Sequence, residues 1–292
     1  MKPGADVIAL IEASLRDAPP EALEFFERER AAAGELLDAA RSATLVAEVA
    51  LAAAARLEPL AFELTRERPP ACGRGCSRCC HGLKIEASAW EAVAIAEFLR
   101  GLEPQELRET RGQMAEEAAF ARTLDADTRW REQTPCAFLD DASGECVIHA
   151  VRPFTCRAHT SLSLAQCDAA AADPERRTPI EKHPVPAAIF GMAKSAITVA
   201  CDERNLDPRS FELTNAVAVA LSSPDAAERW ARGELVFDAA RTPNDARDAE
   251  LSLASLARQG LLPPGRLLSH PGARSRRNAA KRERRGRRKP AR

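Results

Sequence analysis

Eight of the nine cysteines in this 292-residue chain fall between Cys72 and Cys167, and only Cys201 lies outside that stretch. The first group reads CGRGCSRCCHG and contains Cys72, Cys76, Cys79 and Cys80. The second begins with PCAFLDDASGECVIH, which holds Cys136 and Cys146, continues through RPFTCR with Cys156, and ends at Cys167. Thiolates in fours suit two kinds of inorganic centre. Zinc takes four sulfur or nitrogen ligands in a tetrahedron, and iron–sulfur clusters take about four thiolates. Eight thiols can therefore complete two sites, with histidine able to substitute, and His149 is the best placed to do so. Adjacent Cys79 and Cys80 point in different directions from one backbone, so they can serve different metals or bridge two. The expectation is two or more metal atoms. Soft thiolates accept zinc and iron alike, so the ligand type does not separate them.

The surrounding residues fit that chemistry. Glycines at 73, 75 and 82 let the chain fold tightly around sulfur, and Arg74, Arg78 and Lys84 supply charge that stabilises thiolates. His81 and His159 are loop histidines on the plainest reading. Arg152 and Arg157 bracket Cys156 and read most simply as surface charges, while Asp140 and Asp141 read as the start of a turn at Gly144. Cys201 ends an apolar helical run and reads as a core thiol, and His183 and His270 receive no role.

The patterns CxxxCxxCC, PCAFLD…GECVIH and VRPFTCR, followed by Cys167, resemble the YkgJ-type cysteine-cluster family, which is described as a zinc- or iron-chelating domain. The resemblance covers about a third of the chain. It implies Cys72, Cys76, Cys79, Cys80, Cys136, Cys146 and Cys156 as ligands, with Cys167 as the eighth. Two positions depart from the usual pattern: Ala137 stands for a second proline, and His149 replaces a tyrosine and adds a candidate ligand. The pattern is also distantly similar to flagellin lysine N-methylase, which implies the alternative of a metal- or iron–sulfur-dependent enzyme acting on a protein or small molecule. Cys72, Cys76 and Cys79 reproduce the CxxxCxxC spacing of radical S-adenosylmethionine enzymes as well. Those enzymes place it on a β/α barrel, and no series of strands alternating with helices is legible here.

The elements that must position the thiols read as helices, which makes the expected fold all-α, with little or no sheet: a helical body enclosing an irregular cysteine-rich segment. Alanine is roughly a fifth of the chain and aromatics only 4%, with no tyrosine, which favours close-packed helices over a β-sandwich or barrel. Residues 1–68 read as two or three N-terminal helices broken at Pro19-Pro20 and closed by Pro69-Pro70. In the cysteine region, 69–174, Ser88 and Glu91 have capping-box spacing, and Trp90, Ala94 and Phe98 share a helical face. Pro104 opens a charged helix expected to run to about Glu132. From Thr134 the chain reads as irregular, with one short hairpin. Helices return over 175–262, most clearly from Ala187 to Asn205, and 263–292 reads as a basic, disordered tail.

Formal net charge is −1, but residues 274–292 carry eleven Lys or Arg against one Glu, leaving −11 on the rest. That tail reads most simply as a solubilising terminus or one that contacts the acidic body; the alternative is a nucleic-acid-associated module whose tail holds nucleic acid or an acidic partner through phosphate-type contacts, without base stacking because it has no aromatic residue. The most apolar window, near Ala43 to Phe62, is interrupted by Glu48, Arg56 and Glu58, so no membrane span is expected. No export signal is legible at the N-terminus, and the expected compartment is the cytoplasm, where thiols stay reduced. Walker loops, GxGxxG, HExxH and GxSxG are missing from the sequence.

Overall fold

The computed structural model describes residues 4–244, apart from positions 41, 74, 122, 141 and 177. The basic tail and His270 lie outside the described residues, as does the part of the expected helical region beyond 244.

Three helices form the N-terminal part: α1 (Ala5–Leu15), α2 (Pro20–Ala39) and α3 (Ala43–Leu64). Pro20 opens α2 at a position whose N–H would have no helical partner, and Ser42 caps α3 by accepting from the Leu45 N–H at 3.4 Å. Next come β1 (Glu86–Ser88) and α4 (Ala89–Arg100). The Ser88–Glu91 capping box forms as its spacing predicts. α4 is buried on more than the face through Trp90, Ala94 and Phe98: every residue from Ala89 to Ala96 is buried, and so is Leu99. Small side chains at Ala89, Ala92, Ala94 and Ala96 let neighbours approach from several sides.

The charged stretch expected as one helix divides into α5 (Pro104–Ala121) and α6 (Ala126–Arg131). Asp125 takes an extended conformation and caps α6 through the Thr128 N–H at 2.8 Å, which forces the break. After the second cysteine segment, α7 (Phe154–Ala158) and α8 (Leu164–Ala172) lead to α9 (Pro184–Glu203), β2 (Ser210–Glu212), α10 (Leu213–Ser222) and α11 (Ala226–Ala231). β1 and β2 pair antiparallel, with Ala87 opposite Phe211. Each short strand feeds a helix, and α4 packs on α10. The fold is all-α with this one two-stranded ribbon among the described residues.

α9 is the one helix among the described residues long and apolar enough to cross a membrane. Here it packs against α2, α3 and α7. Its apolar character is explained by core residues such as Ala193, Ala196, Ile197 and Cys201, all at 1% exposure or less. The main core runs from Ala33 to Ala240 and takes in residues from the cysteine region. Phe154 is the anchor between them. Its ring meets Trp90 at 5.4 Å and Phe190 at 5.6 Å, both edge to face.

Candidate metal centre

Three pieces of chain carry the eight thiols. The first is a loop from Pro69 to Ile85 containing a single 3-10 turn, Arg78–Cys80. Gly75 (φ +75°) and Gly82 (φ +109°) hold conformations that favour glycine. A side chain at Gly82 would also meet the Trp130 Cα at 3.1 Å. The second piece is the expected hairpin, in which Leu139 bridges Cys146 across the turn at Gly144. Asp140 holds that turn through the Ala142 N–H at 3.0 Å and the Ser143 hydroxyl at 2.6 Å, the turn role its position suggested. The third piece is α7 and α8, bearing Cys156 and Cys167.

Backbone bonds stitch these pieces together. The Cys136 N–H donates to the Cys80 carbonyl at 2.8 Å and the Gly82 N–H to the Thr134 carbonyl at 2.9 Å, fastening the first loop to the hairpin. The Ala71 N–H donates to the Ser161 carbonyl at 2.8 Å, while the Ser161 N–H points back at the Cys72 sulfur at 3.2 Å. Arg78 forms an ion pair with Asp168, the residue after Cys167, and its Nη1 stands 3.8 Å from the Cys76 sulfur.

The thiols fall into two neighbouring groups. Burial pushes the Cys72 thiol above its ordinary value; the Ser161 N–H opposes this, and negative charge on Cys76, Cys79 and Cys167 adds to it. Burial likewise raises Cys156 strongly, with Cys136, Cys79 and Cys146 adding and Arg152 opposing. Cys136 is pushed up to about 12, mainly by burial and then by Glu117. Burial raises Cys146. Cys79 belongs to both groups. The Cys80 S–H donates to it and lowers it to about 7, and the same bond raises Cys80.

All nine cysteines are free thiols, and the eight clustered ones are half-buried. Among the described residues, no three Cys, His, Asp or Glu side chains are drawn onto a common point at metal-ligand spacing. The donor set nevertheless suits a soft cation. Cys72 in the first group, and Cys80, Cys136, Cys146 and Cys156 in the second, resist ionisation because burial, the Cys80–Cys79 hydrogen bond and neighbouring charge oppose it, and a bound cation would supply the missing counter-charge. Cys72, Cys76 and Cys167 with Cys79, and Cys80, Cys136, Cys146 and Cys156, are the residues that would hold it.

The other sequence candidates separate clearly. His149 is exposed, on the 3-10 turn His149–Val151, with its backbone N–H on the Cys146 carbonyl at 3.0 Å. His81 is half-buried and bridges Pro135 through the backbone. His159 is lowered to about 4, by burial first and then by the charge of Lys182. Cys201 is a fully buried core thiol. Arg157 is not a surface charge: it is 2% exposed, donates to the Arg152 and Ala150 carbonyls at 2.9 and 2.8 Å, and pairs with Glu58. Arg152 is half-buried and faces the thiols of Cys79, Cys146 and Cys156, whose ionised forms it favours. His183, given no role from sequence, is buried; its Nδ1 accepts the Val185 N–H to cap α9, and its Nε2 lies 2.7 Å from the Arg68 carbonyl.

Two buried carboxylates that support the site carried little sequence signal. Glu91 accepts the Phe154 N–H and the Ser88 N–H, each at 2.7 Å, and pairs with Lys194 at 3.1 Å. It thereby fixes the start of the helix bearing Cys156. Glu117 accepts the Ala137 N–H at 3.2 Å beside Cys136, pairs with Arg129 and receives the Thr214 hydroxyl. The capping-box spacing pointed to Glu91 as a cap. Its hold on Phe154 comes from 63 residues away and has no local mark.

Comparison with known proteins adds one match. No curated protein and no solved structure matches the chain, so the methylase resemblance gains no support. Residues 71–177 match the family model described as "CxxCxxCC: Putative zinc- or iron-chelating domain". That span contains all eight clustered thiols and the segments that carry them. Over residues 71–177, about a third of its length, this chain is similar to the CxxCxxCC domain described as zinc- or iron-chelating.

Proposed function

We propose that this is a cytoplasmic metal-binding protein that holds zinc or iron in two adjoining thiolate centres. Cys72, Cys76 and Cys167 serve one centre, Cys80, Cys136, Cys146 and Cys156 serve the other, and Cys79 links them. The observation that carries the reading is that eight free thiols, on three pieces of chain tied together by backbone hydrogen bonds, lie inside the span that matches the family model. When bound, the metal supplies positive charge and cross-linking. The protein's own residues do the rest: the Ser161 N–H steadies the Cys72 sulfur, Arg152 offsets sulfur charge, and Glu91 and Glu117 hold the cysteine-bearing segments against the core. A cytoplasmic setting keeps the thiols reduced.

Anaerobic purification with elemental analysis and a visible absorption spectrum tests this. Two or more metal atoms per chain are expected. Iron with acid-labile sulfide and a brown colour identifies clusters, and colourless protein with zinc identifies tetrahedral thiolate sites. Folded protein free of both metals, after expression in medium supplemented with each, overturns the reading. So does a Cys76→Ser variant of unchanged metal content for its assigned place.

A further inference from the structure

A cleft of about 570 Å³ opens along the C-terminal part of α3, beside the first thiol group. Its volume is that of a small-molecule site. Its lining includes the apolar side chains of Phe62, Pro70, Pro186 and Phe190, and Phe62 is 73% exposed. The lining also carries three guanidinium groups, Arg66, Arg152 and Arg157, and Cys72. The lining contains a single carboxylate, Glu58, which is already paired with Arg157. Arg66, just past the end of α3, pairs with Glu63 in the last turn of that helix. Arg152 has no carboxylate within ion-pair distance in the described structure, and its buried Nε has no hydrogen-bond partner; neither has the buried Thr160 hydroxyl beside it in the lining.

We propose that this cleft binds a small organic carboxylate with an apolar body, its acid group drawn to the Arg152 side and its body laid against Phe62 and Phe190. A guanidinium recognises a planar carboxylate through directed, charge-assisted bonds, and the apolar side chains of the lining suit the body of the molecule. Arg152 lines the cleft and also faces the thiols of the second group. A molecule held there would lie at the edge of the metal region, the position a substrate or regulatory ligand needs. The proposal rests on the metal-binding reading only for that neighbour; occupancy of the cleft stands on its own chemistry.

The test is calorimetric titration of the metal-loaded full chain with 3-phenylpropionate, 3-phenylpropanol and propionate, with metal content measured on the same samples. The phenyl carboxylate is expected to bind about tenfold tighter than either the matched alcohol or the short acid. Phe62→Asp, at an exposed position, should weaken 3-phenylpropionate by about tenfold or more with metal content unchanged. Arg152→Gln should erase the preference for the acid over the alcohol. Equal binding of acid and alcohol, no binding to fully loaded protein, or an unaffected Phe62→Asp variant each overturns the cleft while leaving the metal reading intact. Loss of metal from the parent protein strikes the other reading instead.

Discussion

Cys72, Cys76 and Cys167 sit on turns and a short helix whose neighbours face solvent: Gly73, Gly75 and Asp168 are all exposed. Cys136, Cys146 and Cys156 sit on segments whose next residues belong to the core. Phe138 is wholly buried, Ile148 is 1% exposed and Phe154 is 2% exposed. The same side chain thus occupies two mechanical settings. In one, a bound ion would hold loops that little else holds. In the other, it would sit on a platform already fastened by packing, by Glu91 and by Glu117. An ion held by the outer group would exchange by local opening, whereas one held by the inner group would leave only by disturbing the fold.

Exchanging single cysteines tests this contrast most strongly. Cys136→Ser should strip the inner centre and lower unfolding free energy by several kcal/mol, with the loss bounded by the ~10 kcal/mol typical of a structural thiolate site. Cys76→Ser should lose a comparable amount of metal but shift the denaturation midpoint far less. Equal midpoints for the two variants would erase the distinction. Glu91→Ala removes the acceptor for two buried N–H groups and the carboxylate that pairs with Lys194, which keeps the Glu86 carbonyl and the Thr155 hydroxyl. A cost of roughly 3–5 kcal/mol is expected, with metal lost from the inner centre before the outer one. Simultaneous loss from both, read by metal analysis along a chelator titration, would break the comparison.

Acid reaches the joint between the groups. His159 lies between Cys156 and Ser161, and its pKa in the folded chain is about 4, against about 6.5 when unfolded. The unfolded chain therefore takes up the proton first. This contribution is fully present above pH ~6.5 and disappears as pH falls through about 4, a loss of roughly 3 kcal/mol. His159→Gln should flatten that part of the stability–pH curve, measured by denaturant unfolding at each pH. An unchanged slope would show that the imidazole is not desolvated there. The smallest effect is expected at the rim. Arg78→Gln removes an exposed ion pair and should leave global stability unchanged while speeding metal loss from the outer centre. An equal acceleration at the inner centre would count against the separation.

Several features were legible because they are local. The capping box at Ser88 and Glu91, the turn at Asp140 and Gly144, the breaks at Pro19-Pro20 and the helix through Ala196 to Ala200 depend on residues a few positions apart. The split between α5 and α6 was local too, yet passed unnoticed: Asp125 was hidden in a run of charge, and its role as a cap shows only when its backbone turns extended. Arg157 was misread because a guanidinium flanking a cysteine looks the same in sequence whether it faces water or carbonyl groups.

The amino-acid sequence by itself determined the chemical inventory: which thiols there are, how many can reach one another along a tight loop, and which stretches are helical. These follow from side-chain type and short-range spacing. The tertiary structure decided the division of labour. Only packing across long separations places Phe154 between Trp90 and Phe190, turns Glu91 towards α7, brings Asp168 to Arg78, and leaves Arg152 between sulfur and an open cleft. Burial and charge separation depend on neighbours distant in the chain, so no local reading of these residues could have assigned them.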